Sequence, residues 1–132
     1  MSAELHRTIR TEIDASRAVL ESTLYAREAG MGEAPSCMIA TAVSELVRNI
    51  LKYAGTGEIR LRQVKEVGGR GIEIEAIDRG PGIADCEAAM RDHFSSGNTL
   101  GLGLPGVKRM MDEFSLESKP GEGTRVTARK WR

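Results

Sequence analysis

Apolar side chains recur along this chain with two different periods. Ile39, Ala42, Val43, Leu46, Val47, Ile50 and Leu51 follow the i, i+3, i+4, i+7 spacing of a helix with one buried stripe. Pro35 and Ser36 are placed to open that helix, and Gly55 and Gly57 to end it. Ahead of it, Asp14 is placed to cap a helix running to about Ala29, where Gly30 stops it. Leu5, Arg7, Ile9 and Thr11 suggest a short opening strand. After the long helix the period becomes two. Residues 58–65 alternate, with Ile59, Leu61 and Gln63 on one face. Residues 71–78 follow a Gly68, Gly69, Gly71 turn, with Ile72, Ile74 and Ala76 on one face and Glu73 and Glu75 on the other. A short helix over 84–91, a loop over 93–100 and a helix over 104–114 come next. Strands over 115–118 and 124–130 close the chain around a Pro120-Gly121-Glu122-Gly123 turn. The order βα, α, ββ, α, α, ββ predicts an α+β two-layer sandwich, with a mixed, mostly antiparallel sheet and helices on one face.

Composition narrows the function classes. The chain has 132 residues, the size of a single domain, and no linker divides it, so residues 1–132 read as one unit. Nineteen Lys and Arg balance nineteen Asp and Glu, which argues against a general nucleic-acid or membrane-surface binder. Aromatics at 4% leave little for base stacking. His6 and His93 are too scattered for a metal site, and Cys37 and Cys86 form no metal-type spacing and read as small buried hydrophobes. No apolar run is long enough for a signal peptide or a membrane span, so a cytoplasmic protein is expected.

Four places depart from packing logic. Glu45 and Asn49, four residues apart, share a helix face at the edge of the buried stripe. A carboxylate there can take a proton from a hydroxyl, and an amide oxygen suits Mg²⁺; a solvated helix face is the alternative. Asp78 continues the apolar row Ile72, Ile74, Ala76, so it points to the core side and needs a donor. Gly80 and Gly82 follow, where missing side chains let another group reach the backbone. A buried acceptor beside bare backbone suits a flat base with an exocyclic amine, such as adenine; an Asp-x-Gly turn is the alternative. The stretch from Gly97 to Gly106 is a glycine loop entering a helix, with Pro105 in its first turn. Its free N–H groups favour phosphate, although it is neither a Walker A nor a Rossmann fingerprint; a mobile loop is the alternative. Gly121-Glu122-Gly123-Thr124 reads as a hairpin turn that could bring the Thr124 hydroxyl near whatever Asp78 binds. Lys108 and Arg109 are candidate charge partners for phosphate, or simply solvated.

The order and spacing of these four signals resemble the GHKL ATPase/kinase superfamily, whose ATP-binding fold is the Bergerat fold. The resemblance runs from about residue 5 to 131. Within it, Ser44-Glu45-Leu46-Val47-Arg48-Asn49-Ile50, Lys52-Tyr53-Ala54-Gly55 and the run Gly101 to Phe114 are similar to the RsbT-type switch serine/threonine kinases of the stressosome, which are related to anti-sigma factor kinases. The resemblance implies ATP and Mg²⁺ as cofactors. It implies Glu45 as general base, Asn49 as Mg²⁺ ligand and Asp78 as acceptor for the adenine amine, with Gly80, Gly82 and Thr124 around it. Gly101, Leu102, Gly103 and Leu104 would cradle the phosphates under a short lid over 93–100. A STAS-domain antagonist or scaffold protein would be the substrate, and a PP2C-type phosphatase a further partner activated by binding. No histidine-bearing helix hairpin precedes the domain, so a sensor histidine kinase is not expected. An anti-sigma factor kinase and a nucleotide-gated docking module remain the rival expectations.

Overall fold

The computed structural model describes residues 3–83, 90 and 103–132. In chain order they form β1 (Leu5–Ile9), α1 (Glu12–Glu28), α2 (Glu33–Asn49), a π-helical turn (Ile50–Ala54), β2 (Gly57–Glu66), β3 (Gly69–Asp78), α3 (Gly103–Met110), β4 (Glu113–Lys119) and β5 (Gly123–Trp131). The strands form one sheet in the order β1-β2-β3-β5-β4. Every pairing among them is antiparallel, so the parallel component expected from the sequence is absent among the described residues.

One face of the sheet makes the core. Ile59, Leu61, Ile72, Ile74, Ala76, Val126 and Ala128 are buried against Ile39, Val43, Leu46 and Val47 of α2 and against Leu104 and Val107 of α3. The α2 stripe is the one its spacing predicts, apart from Leu51, which is only half-buried. Helix α1 presents Ala18, Ser22 and Ala26 inward, and these small residues let it lie close to α2.

Among the described residues the other sheet face has no helix over it, yet Glu73 and Glu75 are buried there, at 7% exposure each. Arginine side chains cover them. Arg62 and Arg129 donate to Glu73 at 2.8 to 3.2 Å, and Arg60 and Arg125 pair with Glu75. Burial would push the Glu73 carboxyl up, but the hydrogen bonds from the two guanidinium groups outweigh it and hold the group below the ordinary glutamate range. Alternation put these glutamates on the non-core face correctly. Their burial depends on long side chains from β2 and β5 lying across them, and those neighbours are set by register.

Several boundaries differ from the sequence expectation. Thr11 is the N-cap of α1 rather than the end of a strand. Its Oγ1 accepts from the Asp14 N–H at 3.1 Å, and the Asp14 carboxylate accepts from the Thr11 N–H at 3.1 Å. Asp14 is therefore the third helical residue, closing a capping box, and not the cap. Helix α2 starts at Glu33, two residues earlier than Pro35, because Pro is tolerated in a first turn. Helix α3 stops at Met110, so Phe114 is a half-buried residue of β4 and not a helix end. Cys37 is exposed in the first turns of α2, contrary to the buried role expected of it. Cys86, His93, the helix expected over 84–91 and the loop over 93–100 lie outside the described residues.

Candidate functional site

The site is built where the end of α2 meets the end of β3. Glu45 sits one turn before the end of α2. It is buried, with its side chain 11% exposed, and its Oε1 lies 3.7 Å from Arg48 Nη1. Arg48 also donates to Ser44 Oγ at 3.3 Å, so the guanidinium lies along one turn of the helix. Asn49, the last α2 residue, is half-buried.

Past Asn49 the helix does not end. It loosens into the π turn Ile50–Ala54, which Gly55 closes in the left-handed conformation at φ 81°. The extra residue in that turn aims Ala54 at β3's exit. A Cβ on Gly80 would stand 2.6 Å from Ala54 Cβ and 2.9 Å from Ala54 Cα, so only glycine permits this approach. The group that reaches the bare backbone of Gly80 is thus part of the protein itself. Gly82 is similar: the carbonyl of Lys119 occupies the space a Cβ would need.

Asp78 is the last residue of β3 and is half-buried. Its Oδ1 accepts from the Gly80 N–H at 2.9 Å, the local turn that its sequence allowed. Among the described residues, its Oδ2 has no hydrogen-bond partner. Asp78 stands opposite Thr124 of β5, and Thr124 stands opposite Ser118 of β4. Residues paired across an antiparallel sheet share a face, so Asp78, Thr124 and Ser118 form one polar row on the helix side. Gly57 of β2 extends the row without a side chain. The row can close up because Gly123, at φ 86°, brings its Cα against the Asp78 carbonyl, where a Cβ would lie at 2.1 Å.

Of the phosphate-loop residues expected from the sequence, Gly103 and Leu104 are the first two residues of α3, with Leu104 buried. Gly101 and Leu102 lie outside the described residues. Helix α3 packs against α2. Lys108 and Arg109 are exposed near the far end of α3. Sequence reasoning missed three participants: Arg48, Ala54 and Ser118. Ser118 had a usable signal, since it is in phase with Phe114 and Leu116 across the hairpin from Thr124.

The donor set suits a magnesium nucleotide. The row offers acceptors for a base with an exocyclic amine, and Asn49, at the end of α2, offers one neutral oxygen. No group of three or more His, Cys, Asp or Glu among the described residues could hold a metal by itself. A cation here would keep several waters and rely on a ligand's own oxygens, as Mg²⁺ does.

Residues 38–131 match the family described as histidine kinase-, DNA gyrase B- and HSP90-like ATPases. The chain belongs to this family. It is 50% identical to serine/threonine-protein kinase RsbT of Bacillus subtilis (strain 168) over 123 residues, covering 93% of this chain and 92% of that protein. It is 38% identical to anti-sigma F factor of Thermoanaerobacter sp. (strain X514) over 97 residues, covering 70% of this chain and 68% of the relative. The fold is shared with the RsbU and RsbW domains of a Mycobacterium tuberculosis protein, with a TM-score of 0.68 at 19% identity over 98% of this chain and 32% of that one. It is shared also with the mycobacterial sensor histidine kinase MprB, with a TM-score of 0.55 at 19% identity over the whole of both chains. The α+β sandwich expected from the sequence is the fold of this ATPase family. No helix among the described residues is long and apolar enough to cross a membrane.

Proposed function

We propose that this chain is an ATP-dependent serine/threonine kinase that phosphorylates a STAS-domain antagonist or scaffold protein in a cytoplasmic, stressosome-type partner-switching pathway. The enzyme class rests on the ATPase family and on one observation above all, the 50% identity to a serine/threonine kinase over 93% of the chain. The partner and the pathway are our reading of that likeness, as is activation of a PP2C-type phosphatase by binding.

Bound MgATP supplies a transferable γ-phosphoryl group and a cation that offsets its charge. The chain's part is positioning and proton transfer. Glu45, steadied by Arg48, takes the proton of the attacking serine or threonine hydroxyl. Asn49 holds Mg²⁺ through its side-chain oxygen. Asp78 accepts from the adenine amine, and the Gly80 N–H on Oδ1 leaves Oδ2 for that task. Gly82 and Thr124 bound the base pocket. Gly101, Leu102, Gly103 and Leu104 receive the phosphates, the last two as the first residues of α3.

The test is transfer itself. The purified chain is mixed with Mg²⁺, γ-labelled ATP and a STAS-domain protein encoded beside it. Label on a partner serine or threonine, absent with Glu45→Ala although ATP still binds, is the expected result. ATP binding and partner capture without label would overturn the kinase reading in favour of a nucleotide-gated docking module.

A further inference from the structure

We infer that Arg48 is a further catalytic residue: its guanidinium takes up the negative charge that leaves Glu45 during transfer, and then holds the phosphoryl group on the acceptor side chain. This deepens the kinase reading and rests on it, with Glu45 as the base.

The contact between Arg48 and Glu45 is unlike the forked arginine–glutamate pairs elsewhere in the fold. Arg7 donates to Glu21 at 2.7 and 3.1 Å, and Arg62 to Glu73 at 3.0 and 3.2 Å. Arg48 Nη1 stands 3.7 Å from Glu45 Oε1, too far for a hydrogen bond but near enough for the charges to attract. Among the described residues, the one hydrogen bond from the Arg48 side chain runs from Nη2 to Ser44 Oγ, at 3.3 Å. A guanidinium carries five N–H groups, so four have no acceptor there. The Arg48 side chain is 49% exposed, which leaves it room to turn.

Charge moves at this spot during transfer. To give up its proton, the acceptor oxygen must come within about 3 Å of a Glu45 oxygen, and so within about 7 Å of Arg48 Nη1 before either side chain moves. The hydroxyl O–H bond breaks and the proton goes to Glu45. The oxygen's electron pair forms the new O–P bond, while the bond between the γ-phosphorus and the bridging oxygen breaks and its electrons leave on ADP. Glu45 is then a neutral acid, and Arg48 has lost the anion it faced. The phosphorylated side chain carries about −1.5 to −2 charges and three acceptor oxygens, a better match for the planar fork than one carboxylate oxygen. A fork bonded to Glu45 would have to break before turning to the phosphoryl group. A contact through charge alone does not.

The test uses the STAS-domain protein in two forms, unphosphorylated and phosphorylated by the wild-type chain. Each is titrated by calorimetry, with MgADP present, into wild type, Arg48→Ala and Arg48→Lys. Transfer from γ-labelled ATP is timed alongside, and thermal melting checks folding. Arg48→Ala is expected to weaken binding of the phosphorylated form about tenfold more than that of the unphosphorylated form, one charged hydrogen bond's worth. It should slow transfer at least as much and leave ATP affinity unchanged. Arg48→Lys keeps the charge without the fork and should recover part of both losses. If Arg48→Ala does not fold, Arg48→Gln takes its place with the same expectation. Slower transfer with an unchanged ratio of the two affinities would make Arg48 a support for Glu45 only, and overturn the inference with the kinase reading intact. Faster transfer would make the pair a restraint on Glu45, and overturn it as well. If the wild-type chain labels no partner, the kinase reading itself fails and the Arg48 assignment falls with it.

Discussion

Gly80→Ala tests how the end of α2 is fastened to the end of β3. The new Cβ would stand 2.6 Å from Ala54 Cβ, 2.9 Å from Ala54 Cα and 3.3 Å from Asp78 Oδ1. Carbon atoms rest at about 3.5–4.0 Å, so about 1 Å of separation must be found. Neither side can yield by a rotamer change, because both atoms are fixed to backbone. The cost belongs in the upper half of the overpacking range, about 2–3 kcal/mol. Ala54→Gly removes the worse of the two carbon clashes and leaves the one with the residue 54 backbone. It costs up to about 1 kcal/mol by itself, as glycine does in a helical turn. In the double variant about 1 kcal/mol of the clash should be recovered as a coupling energy. Urea unfolding of the four proteins measures this, and ATP titration adds the functional side, because the moved segment carries the N–H that holds Asp78 Oδ1. A Gly80→Ala protein within about 0.5 kcal/mol of wild type would refute the close approach, since mild surface changes fall in that range. So would a coupling energy of zero, since touching residues do not add independently.

Two further predictions concern stability. Thr11→Ala removes the side chain of the α1 capping box and should cost about 1 kcal/mol in urea unfolding, with no change in ATP affinity; no loss of stability would show that the box contributes nothing in solution. Glu73→Gln takes from Arg62 and Arg129 the carboxylate they share, leaving Arg129 its pair with Glu66 at 2.9 Å, and should cost about 1–2 kcal/mol at pH 7, discounted for the solvent that reaches both guanidinium groups. The folded Glu73 carboxyl lies below its ordinary value. Its stabilisation is therefore complete above the unfolded glutamate value of about 4.3, and is lost as pH falls through the depressed folded value. The gap between wild type and Glu73→Gln should hold steady above about pH 5 and close at lower pH; a gap that does not change with pH would sink the assignment.

Much of the fold was legible because helices and half-buried strands write their periods into the sequence. The α2 stripe shows this, as do Ile72, Ile74 and Ala76 of β3, all of which are buried. What failed was decided beyond the window of a periodicity argument. Glu73 and Glu75 lie under arginines that are neighbours only through strand register. Apolar residues 46, 47, 50 and 51 continue the helical pattern without a sign that the helix widens into a π turn at Ile50. Met110 and Met111 keep the α3 period going, yet the Asp112 N–H bonds to the Arg129 carbonyl, and the chain turns into β4. That bond comes from a strand far along the sequence, so local propensity could not announce it.

The candidate site divides along the same line. Glu45, Asn49 and Asp78 were visible singly, because a polar residue in or beside an apolar stripe is a local anomaly. What makes Asp78 and Thr124 a pair is not local. Gly57, Asp78, Thr124 and Ser118 occupy one row on four strands, and each match depends on the register of a different hairpin or crossover. A slip of one residue in β5 would turn Thr124 to the arginine face and bring Arg125 to the site. Gly123 shows why the row holds. On sequence it is one residue of a tight turn, and any small residue would do. In the fold its missing Cβ is where the Asp78 carbonyl lies. The glycine is required by a strand more than forty residues away, and the register it permits sets Thr124 beside Asp78.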